Sequence, residues 1–208
     1  MSQNVLTVIL GRKGTGKTTV AVDLISQEAK ARGRVVVIDP VGEYPNGVQI
    51  SPSDPALDFY LSNSRFRIAI HPVRVADLNL IVPKILRTGN LLAVIDEAQL
   101  FQDASQIPDV LIDLVTLGRR PRVDQIWITQ RPTLLHKDVT SQLDVAFLFG
   151  AAEPRDLDYL GKRISVAAAE KVSQLRPFEY VRFQSPDTYT TGTVNKIQLA
   201  GQKRVPPL

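Results

Sequence analysis

The chain has 208 residues, 44% of them hydrophobic and 22% charged, which is enough apolar material for a substantial core and a length that fits one domain better than two. It contains no cysteine, which excludes disulfides, thiolate metal sites and a cysteine nucleophile; its two histidines, His71 and His136, lie too far apart to suggest a histidine metal site and read as loop or surface residues. A net charge of +4 and a pI near 9.4 favour an anionic partner mildly, while the sequence has neither an apolar run of about eighteen residues nor a charged leader, so no transmembrane segment or export signal is expected.

The first apolar run, Val5 to Leu10, reads as a strand and leads directly into Gly11-Arg12-Lys13-Gly14-Thr15-Gly16-Lys17-Thr18-Thr19. An apolar-periodic stretch follows, predicting a helix over Lys17 to Ala31. Strand, glycine-rich loop and helix together make the phosphate-binding P-loop, with Gly11, Gly16, Lys17 and Thr18 at the required spacing. Glycines let backbone N–H groups curl around phosphate oxygens, and the helix presents its positive end to the same anion. Residues 11–19 are therefore the candidate ATP-binding segment, with Lys17 reaching the β and γ phosphates and the Thr18 hydroxyl on Mg²⁺.

A second strand over Val35 to Ile38 ends in the turn Asp39-Pro40-Val41-Gly42-Glu43-Tyr44, which by itself is an ordinary Pro-Gly loop carrying two acids. Pro40, Pro45, Pro52 and Pro55 make residues 40–58 a loop-rich excursion at the carboxyl ends of the strands. A strand over Phe66 to Ile70 precedes a helix over Val75 to Arg87, which Pro83 is expected to kink or end. The strand Leu91 to Ile95 then runs into Asp96 and Glu97, the second constellation that a P-loop ATPase needs. Asp96 is placed to hold Mg²⁺ through water, and Glu97 to polarise the attacking water.

After a predicted helix over Ile107 to Thr116 comes Gly118-Arg119-Arg120-Pro121-Arg122, whose guanidinium groups suit phosphate. Three readings stay open for it: a solvated turn, a DNA contact, or an arginine finger donated to a neighbouring subunit. The strand Gln125 to Thr129, with Trp127 assigned to the core, ends at Gln130, an amide able to sense the γ-phosphate or orient water. A strand over Val145 to Phe149, helices over Asp156 to Leu160 and Ser165 to Leu175, and a terminal hairpin from Phe178 to Phe183 and Thr193 to Leu199 complete the chain. Tyr180, Phe183 and Tyr189 read as core aromatics of that hairpin rather than base-stacking platforms. Arg155, Lys162, Arg163, Lys171 and Arg176 fit either a DNA-facing surface or a solvated one. The tail from Gly201 to Leu208, with Lys203 and Arg204, reads as extended. Near-continuous Val/Ile/Leu strands between helices predict an α/β fold with a mainly parallel sheet covered on both faces.

The P-loop, the Asp39 to Tyr44 turn, the Ile-Asp-Glu-Ala strand end, and Gly-Arg-Arg followed by Thr-Gln-Arg-Pro together resemble the HerA/FtsK superfamily of ring-forming, DNA-pumping ATPases over about residues 4–150. The resemblance implies a RecA-like core in which the Gln130 strand lies between the P-loop strand and the Asp96 strand. It also implies a hexameric homo-oligomeric ring, nucleotide between subunits, double-stranded DNA as partner, and an arginine finger at or near Arg119 or Arg120. The length leaves no room for the amino-terminal barrel of HerA-type helicases or the membrane segments and winged helix of FtsK-type translocases. On that ground the chain is expected to be one P-loop ATPase domain, with residues 4–150 as nucleotide-binding core and 151–208 as carboxyl-terminal helices and strands. It is similar to the genome-packaging ATPases of tailless, membrane-containing double-stranded DNA viruses, which implies work in the host cytoplasm or at the packaging vertex and viral capsid or portal-vertex proteins as further partners. Two other readings remain open: a cellular or plasmid HerA-like translocase, and a P-loop kinase or small-molecule phosphotransferase, which would have no need of Glu97.

Overall fold

The computed structural model describes residues 4–150, 153–184 and 188–194. Its strands are β1 (Leu6–Leu10), β2 (Arg34–Ile38), β3 (Val48–Ile50), β4 (Phe66–Ile70), β5 (Leu91–Ile95), β6 (Val123–Thr129), β7 (Val145–Phe149), β8 (Glu179–Gln184) and β9 (Thr188–Thr193). They form one sheet in the order β3-β4-β2-β5-β6-β1-β7-β8-β9. The pairings from β3 through to β7 are parallel, and β8 and β9 add antiparallel at the edge. Every residue of β1, β4, β5 and β7 is buried, because helices cover both faces of these strands.

Period-two alternation sorts the side chains between two cores. Val8, Leu10, Ala93, Ile95 and Trp127 face one side, and Ile9, Leu92, Val94, Ile126 and Ile128 the other. Helix α1 (Lys17–Ala31) supplies Ala21, Ile25 and Ala29 to the second core. Helices α2 (Ala56–Ser62), α3 (Leu78–Thr88), α4 (Asp109–Leu117), α5 (Lys137–Ser141), α6 (Pro154–Arg163) and α7 (Val166–Val172) lie along the first. Trp127 is fully buried, and its indole N–H donates to Gln125 Oε1 at 3.0 Å, so the central strand carries its polar atom without cost.

Several expected elements shift. Helix α3 runs through Pro83, preceded by a 3-10 turn at Val75–Asp77. Proline costs about 3 kcal/mol inside a helix. Leu78, Ile81, Val82 and Ile85 are all fully buried, and at about 1.5–3 kcal/mol for each such side chain they outweigh that cost while Pro83 faces solvent. The loop-rich excursion over residues 40–58 also holds two regular elements: β3, an edge strand with only Ile50 buried, and the start of α2, where Asp54 Oδ1 accepts from the Ala56 N–H at 2.8 Å. Helix α5 is short and appears in no apolar period; the His136 ring caps it, accepting from the Asp138 N–H at 3.3 Å.

The terminal hairpin forms earlier than its apolar pattern implies. Its second strand is Thr188–Thr193, an exposed run of β-branched threonines at the sheet edge, while residues 195–199 and the tail with Lys203 and Arg204 lie outside the described residues. Phe183 is buried and Tyr180 packs on Phe147 and Phe149, as core aromatics do, but Tyr189 is 41% exposed and belongs to no core.

Candidate active site

Strands β1, β5 and β6 all end on the same edge of the sheet, and each delivers one part of the site there. Register fixes the arrangement: Leu10 pairs with Thr129 and Ile95 with Trp127, so β6 lies between the P-loop strand and the Asp96 strand.

The loop from Gly11 to Gly16 leaves β1 and turns into α1. A Cβ on Gly11 would meet Phe149 Cβ at 2.5 Å, so only glycine allows the loop to pass β7. Gly16, at φ 107° and ψ 9°, is the left-handed residue that opens α1. The helix has no side-chain cap and no acid in its first turn, leaving its positive end to an external anion. Arg12, Lys13 and Gly14 are exposed, and the Thr15 hydroxyl donates to Arg12 O at 2.8 Å, bracing the loop. Lys17 is 8% exposed, and its ammonium donates to Arg12 O at 3.1 Å across the loop. Burial pulls its pKa down, while Glu97, Asp96 and Glu43 oppose that by favouring the charge. Thr18 Oγ1 donates to Glu43 Oε2 at 3.4 Å, and the buried Thr19 hydroxyl has no partner among the described residues.

Asp96 is 4% exposed, and its Oδ2 has no hydrogen-bond partner among the described residues. Burial pushes its pKa up to about 7, partly offset by the Glu97 N–H and reinforced by the carboxylates of Glu97, Glu43 and Asp39. An orphaned buried carboxylate oxygen needs a cation or donor, so the site fits Mg²⁺. Among the described residues no cluster of three or more His, Cys, Asp or Glu forms a metal cage. Mg²⁺ beside a nucleotide does not require one: it keeps several waters and takes one or two carboxylates plus phosphates.

Glu97 sits in the left-handed region at φ 44° and ψ 48°, an unfavourable place for a side chain with a Cβ. Gln130 Nε2 donates to both of its carboxylate oxygens at 3.0 Å, and Gln99 Nε2 donates to Oε2 from the other side. Gln99 is in turn fixed by the Thr129 hydroxyl, which donates to its Oε1 at 2.7 Å. The carboxylate is thereby held by residues from two strand ends, a rigid arrangement suited to accepting a proton from a water.

Arg119 and Arg120 are exposed and lie between α4 and the first residue of β6, at the sheet edge opposite the P-loop. Neither can reach the chain's own site. Arg131, near Gln130, is engaged by Glu153 and Asp156 within the chain. Sequence reasoning did not find Gln99, the Thr129 hydroxyl, or Val194, whose side chain lies 3.1 Å from where a Gly16 Cβ would stand.

The fold and this constellation define a P-loop NTPase. Residues 7–107 match the family described as helicase HerA, central domain, and the chain resembles viral genome-packaging ATPases. It is 27% identical over 161 residues to the DNA packaging ATPase P9 of Enterobacteria phage PRD1, an alignment covering 72% of this chain and 65% of that protein. The chain thus spans under two thirds of that relative. In fold it is similar to the genome packaging NTPase B204 of Sulfolobus turreted icosahedral virus 2 in complex with ATP-gammaS, with a TM-score of 0.79, 22% identity, and 92% and 98% of the two chains covered. VirB4 of Thermoanaerobacter pseudethanolicus shares the fold at a TM-score of 0.70 and 14% identity, with 94% and 91% covered.

Proposed function

We propose that this chain is an ATPase that hydrolyses Mg²⁺-ATP to move double-stranded DNA, as the genome-packaging motor of a virus. The observation that carries the hydrolytic part is the convergence of Lys17 with Asp96 and with a Glu97 carboxylate clamped by Gln130 and Gln99. In a phosphotransferase the same carboxylate would meet a substrate hydroxyl instead of water, the outcome that the phosphate-transfer test below separates. The packaging part is supported by the similarity to P9.

In this reading residues 11–19 cradle the phosphates, Lys17 neutralises the β and γ oxygens, and Thr18 and Asp96 hold Mg²⁺, which supplies charge neutralisation when bound. Glu97 takes the proton of the attacking water, and Gln130 sets the carboxylate in place beside the γ-phosphate. The working form is a homo-oligomeric ring, a hexamer, in which Arg119 or Arg120 completes a neighbour's site. Residues 4–150 serve as nucleotide-binding core of one domain and the later helices and strands as its extension, acting in the host cytoplasm or at the packaging vertex with capsid or portal proteins. Among the described residues no helix is long and apolar enough to cross a membrane. The test is the ATPase rate with and without double-stranded DNA, taken with the mass of the protein in solution. DNA-stimulated hydrolysis by a ring-sized species is expected; a monomer that transfers phosphate to a small acceptor would refute the proposal.

A further inference from the structure

The Asp39 to Tyr44 turn closes β2 on the same edge of the sheet as the P-loop, yet none of its residues has a part in the reading above. Its construction is specific. The fully buried Asp39 accepts through Oδ1 from the N–H groups of Gly42 at 2.8 Å and Glu43 at 3.1 Å, and through Oδ2 from the N–H of Tyr44 at 2.9 Å. A carboxylate with three backbone donors is a structural anchor, and Asp39 is spent on holding the turn.

What the anchor presents is Glu43 and Tyr44. Glu43 is exposed and could extend into water at no cost, but its carboxylate lies 3.4 Å from Thr18 Oγ1, the hydroxyl at the mouth of the P-loop. Tyr44 points inward: it is 4% exposed, its hydroxyl has no partner among the described residues, and the carboxylates of Asp96, Asp39, Glu43 and Glu97 all act on it. The carboxylates of Glu97, Asp96 and Glu43 all act on the Lys17 ammonium, and Asp96 Oδ2 is buried without a partner among the described residues. Carboxylates so placed oppose a bare triphosphate and favour one that carries a divalent cation.

We propose that Glu43 is a further carboxylate of the metal–nucleotide site, accepting hydrogen bonds from the water shell of the Mg²⁺ that Thr18 and Asp96 hold, so that the site selects Mg²⁺-ATP over free ATP. This rests on the ATP-binding reading above. Glu43 touches the metal's waters rather than the reacting atoms, so it is a positioning residue. Its effect has a sign that a purely structural role lacks: without metal the Glu43 charge opposes the triphosphate, and with metal it favours the complex.

The experiment is a titration of a non-hydrolysable ATP analogue, in EDTA and in Mg²⁺, on the full chain and on Glu43→Gln, Glu43→Asp and Lys17→Ala. Removing a group that orients metal-bound water typically lowers metal affinity 10- to 100-fold. Glu43→Gln should therefore bind the analogue at least as tightly as wild type in EDTA and about 10-fold more weakly in Mg²⁺, while Glu43→Asp recovers part of the Mg²⁺ effect. A direct titration of Mn²⁺ into the analogue complex should show the same loss. Equal changes with and without metal, or no change in either, overturn the role of Glu43. Lys17→Ala separates the two levels: if it keeps full affinity for the analogue, the ATP site itself is wrong and the inference falls with it.

Discussion

Gln130 donates to both oxygens of Glu97; in the proposed mechanism it therefore acts on turnover through that carboxylate, and a double-mutant cycle tests this. Gln130→Ala removes the two 3.0 Å contacts but leaves Gln99 on Oε2. A hydrogen bond to a charged group contributes about 1.5–3 kcal/mol. Both residues are half-buried and Gln130 divides one amide between two oxygens, which favours the lower figure. Loss of about 1.5 kcal/mol of orientation in the transition state corresponds to roughly a tenfold fall in turnover, with nucleotide binding spared. Glu97→Gln removes the base outright and should cost at least ~100-fold, the usual contribution of a positioned base. The assay is steady-state phosphate release at saturating Mg²⁺-ATP for wild type, both single variants and the double. If Gln130 works through Glu97, the double variant is no slower than Glu97→Gln. A double variant slower by a further factor of about ten would refute the reasoning. Gln130 would then act independently, as a direct γ-phosphate contact does.

Other outcomes follow from charge and position. Asp96 has its pKa raised from 3.8 to about 7, so between those values the folded protein binds more protons than the unfolded chain and nucleotide-free stability falls as pH rises. Thermal melts should show wild type losing stability relative to Asp96→Asn across that window, and parallel curves would contradict the burial argument. If Arg119 or Arg120 completes a neighbour's site, mixing the matching Arg→Ala variant with Lys17→Ala restores part of the ATPase activity, because some interfaces then pair an intact P-loop with an intact arginine. No recovery in rings shown to be mixed would place the finger elsewhere. DNA binding should be independent of sequence and weaken steeply with salt, as phosphate neutralisation releases counterions, and a salt-insensitive interaction would exclude phosphate as the main contact.

What the sequence made legible is the chemistry that sits on a strand end. Asp96, Glu97 and Gln130 follow apolar runs directly and Lys17 follows one through the glycine loop, so the strand pattern that predicts the fold also predicts their common edge, and the structure brings them to it. The place of β6 between β1 and β5, which the family resemblance implied, is the one observed. Local signals misled at two places: Pro83 does not end α3, where Leu78, Ile81, Val82 and Ile85 are buried, and the second hairpin strand is β9, an exposed threonine run paired with β8 that carries no apolar period.

Glu43 and Thr129 stand inside motifs that the sequence displays, but what they aim was not legible there, because each works by a contact that spans the chain. Thr129 fixes Gln99 across 30 positions, and Glu43 reaches Thr18 across 25. The left-handed backbone at Glu97 has no residue signature either; it follows from β5 ending where the carboxylate must turn toward β6. A non-glycine residue there costs of order 1–3 kcal/mol. The two Gln130 contacts, with Gln99 behind them, hold the side chain that this conformation presents. Glycine at position 97 would relax the backbone and lose the carboxylate, so the strained conformation is kept where a side chain, and not only a turn, is wanted.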